Sequence, residues 1–129
     1  MKIRPKKIIV TGGAGFIGSH LTEKLLKDNH KVIVLDNFST GRKENLAYLK
    51  NNSKLRIVKA DITNFKAITP YFKGIDWVFH LAALADIVPS IVKPLDYHKN
   101  NVDGTVNVLE ASRLANVKRF IYTASSSCY

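Results

Sequence analysis

The stretch that decides the reading is residues 7–20, KIIVTGGAGFIGSH. Its first five residues, KIIVT, are short, β-branched and apolar, as in a strand buried on both faces. Gly12, Gly15 and Gly18 follow at G-x-x-G-x-x-G spacing. From Phe16 onward, Ile17, Leu21 and Leu25 recur every four residues, which predicts a helix over 16–29 with that stripe against a core. Glycine takes positive φ without steric cost, so the chain can turn sharply off the strand. Lacking a Cβ, it lets backbone approach a diphosphate, and at Gly18 it lets the helix pack closely on the sheet. The first helical turn carries unpaired N–H groups and a partial positive charge, and Phe16 and Ile17 would offer their amides to phosphate. The competing reading is a tight strand–helix turn with no ligand.

Asp36 weighs against that competitor. It ends a second apolar run, KVIVLD (31–36), where a carboxylate can accept both hydroxyls of an adenosine ribose and repel an added 2′-phosphate. The expected cofactor is therefore NAD and not NADP. A turn-capping role for Asp36 is the alternative, and Arg42 is the nearby residue that could serve a 2′-phosphate. Asp61 and Ile62 follow a third run, LRIVK (55–59). There a carboxylate could accept from the adenine amino group with Ile62 on the ring, or it could simply form a turn.

Working outward, residues 38–41 read as a turn and 42–51 as a helix. Residues 63–72 read as a short helix capped by Thr63. Residues 76–81 (DWVFHL) read as a fourth strand with Trp77 in the core, and 82–94 as a loop leading into a helix. Residues 95–116 predict a long helix with Val102, Val106, Leu109 and Arg113 along one side. Gly104 inside it costs up to about 1 kcal/mol relative to alanine, unless a close packing contact requires it. Residues 119–123 (RFIYT) complete a fifth strand. Alternating strands and helices, with strands apolar on both faces, give a parallel sheet covered on two sides. Right-handed crossovers make it doubly wound, a three-layer αβα Rossmann fold of strand order 3-2-1-4-5.

Composition bounds the alternatives. The 129 residues suit one domain, 1–129, and 46% hydrophobic with 23% charged residues is ordinary for a globular chain. The net charge of +10 comes from scattered lysines, with no basic run interleaved with aromatics, so no nucleic-acid groove is expected. The single cysteine, Cys128, excludes an internal disulfide. No apolar run reaches the roughly 18 residues of a membrane span, and the N-terminus is not signal-like. A cytoplasmic protein without membrane association is expected. His80 and His98 lack partners at metal-ligand spacing and read as packing or surface residues, so no metal is expected.

Taken together, TGGAGFIGSH (11–20), DNFSTG (36–41), ADI (60–62), HLAA (80–83), NNVDGT (100–105) and ASSSCY (124–129) resemble the extended short-chain dehydrogenase/reductase superfamily. Within it, the chain resembles the NAD-dependent epimerase/dehydratase family and its nucleotide-sugar 4-epimerases for UDP-glucose and UDP-N-acetylglucosamine. The resemblance implies that Gly12, Gly15, Phe16, Ile17 and Gly18 hold the pyrophosphate. Asp36, Asn37, Ser39, Thr40 and Gly41 would surround the adenosine ribose, and Asp61 and Ile62 would meet adenine. Leu81, Ala82, Ala83 and Asn100 would lead to the nicotinamide ribose, with Thr123 and Ser125 at the nicotinamide end.

Ser125 would be the catalytic residue here, holding the reacting sugar hydroxyl and relaying its proton. A serine-rich strand exit that satisfies loop backbone is its alternative. Tyr129 would be a structural tyrosine, because the family's Tyr-x-x-x-Lys pair lies further on. The sequence is thus expected to be an N-terminal portion ending before the sixth strand, inactive alone. Its open fifth strand invites homodimerisation.

The implied reaction is epimerisation of a nucleotide sugar through a keto-sugar, with hydride taken and returned. Dehydratases of the group carry Asp-Glu where this chain has Ser126 and Ser127, and Ala85 stands where some galactose epimerases have lysine. A dehydratase or decarboxylase of the same superfamily, or a non-catalytic NAD-sensing module, are the alternatives.

Overall fold

The computed structural model describes residues 3–126. The readings of Ser127, Cys128 and Tyr129 lie outside the described residues. Five strands form one parallel sheet in the order β3-β2-β1-β4-β5. They are β1 (Lys7–Thr11), β2 (Lys31–Asp36), β3 (Leu55–Lys59), β4 (Trp77–His80) and β5 (Arg119–Tyr122). The fold and strand order are those the sequence implies. The order reverses between β1 and β4, which pair directly, Ile8 with Trp77 through Thr11 with His80. At such a switch point the loops leaving the strand ends diverge and open a crevice.

Side chains alternate across the sheet and feed two cores. Ile8 and Val10 of β1, with Val32 and Val34 of β2, pack under Leu25 and Leu26 of helix α1 (Phe16–Lys27) and under Leu46 of the 3-10 helix Lys43–Leu49. On the other face, Ile9, Leu35 and Val78 pack with Ile68, Phe72, Val108 and Ala111. These last come from α2 (Phe65–Ile68), the 3-10 turn Thr69–Phe72 and α5 (Gly104–Leu114). Between β4 and α5 lie the short helices α3 (Ile87–Val92) and α4 (Pro94–His98) and a π-helical turn, Lys99–Asp103. No helix among the described residues is long and apolar enough to cross a membrane.

Several local expectations need correction. Only β1 and β2 are buried on both faces; β3 and β5, at the sheet's edges, are largely exposed. In α1 the buried stripe is Gly18, Ser19, Thr22, Leu25 and Leu26, while Ile17 stands 63% exposed. At Gly18 the turn itself excludes a side chain, since a Cβ there would run into the Gly12 carbonyl and Gly13 Cα. The same inversion occurs in α5, where Gly104, Val108, Ala111 and Ser112 face inward and Val106 and Leu109 face out, as does Val102 in the π turn before it.

Gly104 has its packing reason: a Cβ there would lie 2.6 Å from Ile62 Cδ1. The helix expected over 42–51 is a 3-10 helix, and the one expected over 95–116 is interrupted by the π turn. Asn64, not Thr63, caps α2, its side chain accepting from the Ala67 amide at 3.1 Å. Trp77 is only half-buried, with its ring between His30 and Arg119.

Candidate cofactor and substrate site

The glycine turn leaves β1 through Gly12, at φ +69°, a conformation that side chains rarely adopt. A Cβ on Gly12 would also strike the backbone of Ala82, after β4. A Cβ on Gly18 would run into the Gly12 carbonyl and Gly13 Cα. These two glycines are required by the protein's own packing. Gly15 differs. Its φ of −74° is open to any residue, and a Cβ there would meet only the Gly12 carbonyl, at 3.3 Å. The space over Gly15 is left for something other than protein. Gly15 is the N-cap of α1, without a side chain to cap it and with no acidic residue in the first turn. The amides of Phe16, Ile17 and Gly18 precede the first residue whose amide closes a helical bond, Ser19 onto Gly15.

Asp36 anchors the turn from below. It is only 8% exposed, and its Oδ2 accepts from the Ala14 amide at 2.9 Å while Oδ1 accepts from the Phe38 amide at 2.8 Å. Each carboxylate oxygen keeps a second lone pair for a ligand hydroxyl. The capping role and the ligand role are thus compatible in one side chain. Gly41 closes over this carboxylate, since a Cβ there would lie 2.9 Å from Asp36 Oδ2.

One cavity brings together Gly12, Gly15, Asp36, Asn37, Ser39, Thr40, Gly41, Ile62, Leu81, Ala82, Ala83 and Asn100. Leu35, Ala60 and Leu84 complete the lining and were not singled out from the sequence. Phe16 and Ile17 are exposed at the start of α1, and Gly18 is packed against the turn. Asp61 stands behind Asn37. Its Oδ1 accepts from the backbone and hydroxyl of Thr63 at 2.8 and 2.7 Å, and Oδ2 accepts from Asn37 Nδ2 at 3.5 Å. Partial burial acts to raise its pKa. The hydrogen bonds from Thr63 and Asn37, with the charge of Lys99, outweigh that and hold the carboxyl below its ordinary value.

A second cavity adjoins the first across Leu81, Ala82, Ala83 and Leu84 and is also lined by Thr123 and Ser125. Thr123 continues the sheet, its amide donating to the His80 carbonyl at 3.3 Å.

His80, 2% exposed, is part of the lining of the second cavity. Its Nδ1 meets Thr11 Oγ1 at 2.7 Å and its Nε2 meets Thr105 Oγ1 at 2.8 Å. Thr11 Oγ1 also accepts from the Leu81 and Ala82 amides, at 3.2 Å each. Its one proton therefore goes to Nδ1, and Nε2–H donates to Thr105. Burial pushes the His80 pKa down to about 4, so the ring is neutral. His98 is a surface residue. Among the described residues no three groups of the metal-binding kinds cluster.

Sequence reasoning did not find Gly13, whose absent Cβ makes room for the Val34 side chain. It also missed Asn45, whose Nδ2 donates to the Ala14 carbonyl at 2.8 Å. Asn101, which bonds both backbone groups of Leu84, was passed over for its neighbour Asn100. Gly13 and Asn101 stand inside motifs already noticed; Asn45 carries no sequence signal.

The chain is similar to UDP-glucuronic acid decarboxylase 1 of Arabidopsis thaliana, at 41% identity over 95% of this chain and 27% of that protein. It is 36% identical to a UDP-glucose 4-epimerase of Klebsiella pneumoniae, over 95% of this chain and 91% of that one. A solved UDP-N-acetylglucosamine 4-epimerase from Methanobrevibacter ruminantium M1 superposes with a TM-score of 0.90 at 40% identity, covering 98% of this chain and 40% of its own. The Thermus thermophilus UDP-glucose 4-epimerase, solved in complex with NAD, superposes at 0.79 with 34% identity, covering 88% of this chain and 36% of its own. The chain thus spans about two-fifths or less of these solved epimerases and of the plant decarboxylase. The NAD dependent epimerase/dehydratase family matches residues 8–129, and the chain belongs to that family.

Proposed function

We propose that this chain is the NAD-binding portion of a nucleotide-sugar epimerase. The observation that carries the reading is the empty face of Gly15, set in one cavity with the Asp36 carboxylate and the Leu81–Ala83 wall. The residues present fit a dinucleotide. Amides at the start of α1 meet the diphosphate, Asp36 takes the adenosine ribose, and Asn37, Asp61 and Ile62 flank adenine. Asn100 and the wall after β4 lead to the second cavity, where Thr123 and Ser125 stand at the nicotinamide end.

Bound there, the nicotinamide supplies reversible oxidation of a sugar carbon. The chain's own part is to hold the cofactor, to seat the sugar in the second cavity, and at Ser125 Oγ to hold the reacting hydroxyl and relay its proton. A cytoplasmic homodimer belongs to the same reading. Similarity to the plant decarboxylase supports a second reading, decarboxylation of a nucleotide sugar acid on the same cofactor site.

Calorimetric titration with NAD and NADP, on the chain and its Asp36→Asn variant, tests the cofactor assignment. The unaltered chain is expected to favour NAD by tenfold or more, and the variant to narrow that ratio severalfold. An unchanged ratio contradicts the role given to Asp36.

A further inference from the structure

β3 ends the sheet, and among the described residues no strand lies beyond it. Its ladder with β2 uses alternate residues: the Val32 amide donates to the Lys54 carbonyl, and the Ala60 amide donates to the Asp36 carbonyl. Lys54, Arg56, Val58 and Ala60 therefore turn their backbone toward β2, while Leu55, Ile57 and Lys59 turn theirs outward. Ile57 and Lys59 present both amide and carbonyl on that side, with no strand to meet them.

A groove runs along each face of this edge. On one face, Leu46, Ile57 and Phe38 form an apolar floor edged by Lys43, Lys50 and Lys59. On the other, Ile33 and Ile75 lie among Lys7, Lys31, Lys54, Arg56 and Lys73. The grooves belong to opposite faces, since Leu46 packs in one core and Ile33 and Ile75 pack in the other. Together they offer eight cations against one carboxylate, Glu44. Among the described residues none of the eight is ion-paired; the ion pairs use Lys24, Lys27, His98, Arg113 and Lys118 instead. Like charges gathered without counter-charges destabilise a compact state. A negative partner would relieve that repulsion.

Charge and shape together select the occupant. Lysines on an edge strand keep like sheets apart, and a second copy of this chain would set eight cations against eight. Single-stranded nucleic acid stacks its bases on open aromatic faces. Here the Lys43 ammonium lies 5.6 Å over the Phe38 ring and the Arg56 guanidinium 5.2 Å over the Tyr71 ring. An extended acidic peptide matches every feature: backbone for the open edge, apolar side chains for the floors, carboxylates for the cations.

We propose that the free edge of β3 binds an extended acidic segment of a partner protein as an added strand. The two grooves share no lining residue with the cofactor and substrate cavities, so this interaction stands independently of the NAD reading.

The test uses a capped, fluorescein-labelled peptide of about ten residues, alternating glutamate and valine, long enough to span a strand. A second peptide has proline for every valine, which keeps the charge and removes every other amide. Affinity is read by fluorescence anisotropy, and the contact by amide shifts of the isotope-labelled chain. The alternating peptide is expected to bind, moving the Ile57 and Lys59 amides most. The proline peptide should bind at least tenfold more weakly. Lys50→Glu combined with Lys73→Glu reverses one exposed charge in each groove, outside the strand. It should weaken binding by tenfold or more at low salt while the thermal melt stays unchanged.

Equal affinity for the two peptides would mean charge attraction without strand pairing and overturn the proposal. So would failure of the alternating peptide to bind, shifts that avoid β3, or an affinity unmoved by the paired charge reversal. Tighter binding of a thymidine oligonucleotide of the same charge, or of phosphatidylglycerol vesicles, would assign the surface to nucleic acid or membrane and overturn it as well.

Discussion

The two sides of the switch point are built differently. From β1 to β2 the glycines are fixed by contact: a Cβ on Gly12 or Gly18 would strike backbone and one on Gly13 the Val34 side chain, while Asp36 ties the turn to the strand end. From β4 to β5 the chain is held by side chains reaching across, His80 to Thr11 and Thr105, Asn101 to Leu84. That side also leaves Ile87, Val88, Ile91 and Val92 of α3 at least 70% exposed. Backbone constraints admit one residue type and so are written into the sequence. Side-chain ties admit several solutions and are not.

The contrast should appear first in stability. Gly18→Val drives a branched side chain into the Gly12 carbonyl and Gly13, neither of which can yield. A loss of about 3 kcal/mol or more is expected in denaturant melts. A loss under 1 kcal/mol would show that the turn is not backbone-locked. Next comes acid. His80 titrates near its ordinary 6.5 in the unfolded chain and at about 4 in the fold, so unfolding takes up a proton between those values. Stability is full above pH 6.5, falls as pH drops from there toward 4, and flattens below; the expected loss is about 3 kcal/mol. Replacing His80 with Gln should remove that component of the pH profile, and a profile unchanged by the replacement would break the assignment. The smallest effect belongs to the outward face of α5, where Val106→Ser should shift stability by less than about 0.5 kcal/mol. A larger loss would show the exposed stripe to be packed after all.

That last residue shows where sequence reasoning stopped. Strand order, the glycine turn and Asp36 were legible because strand apolarity and glycine spacing answer to local geometry. Val102, Val106 and Leu109 were read as the inward face of α5 because apolar residues normally face a core. They lost that place to Gly104, Val108, Ala111 and Ser112; at Gly104 the Ile62 side chain approaches too closely for any Cβ. Ile17 gave way to Gly18 and Ser19 in α1, where the turn excludes a Cβ at Gly18. Most residues lining the first cavity stand in motifs of the sequence; Leu35, Ala60 and Leu84 were not singled out from it. The ties behind the cavity were not legible there: Asn45 lies far along the chain from the Ala14 carbonyl it serves, and the Thr11–His80–Thr105 relay spans three elements.

The central claim is that the space over Gly15 exists for a diphosphate. It is tested most directly by titrating NAD into the unaltered chain and into Gly15→Val, with a thermal melt of each. The φ of Gly15 suits any residue, but a Cβ there presses on the Gly12 carbonyl at 3.3 Å, so valine should cost no more than a few degrees in the melt while NAD affinity falls by tenfold or more. A folded Gly15→Val that binds NAD as the unaltered chain does would contradict the account.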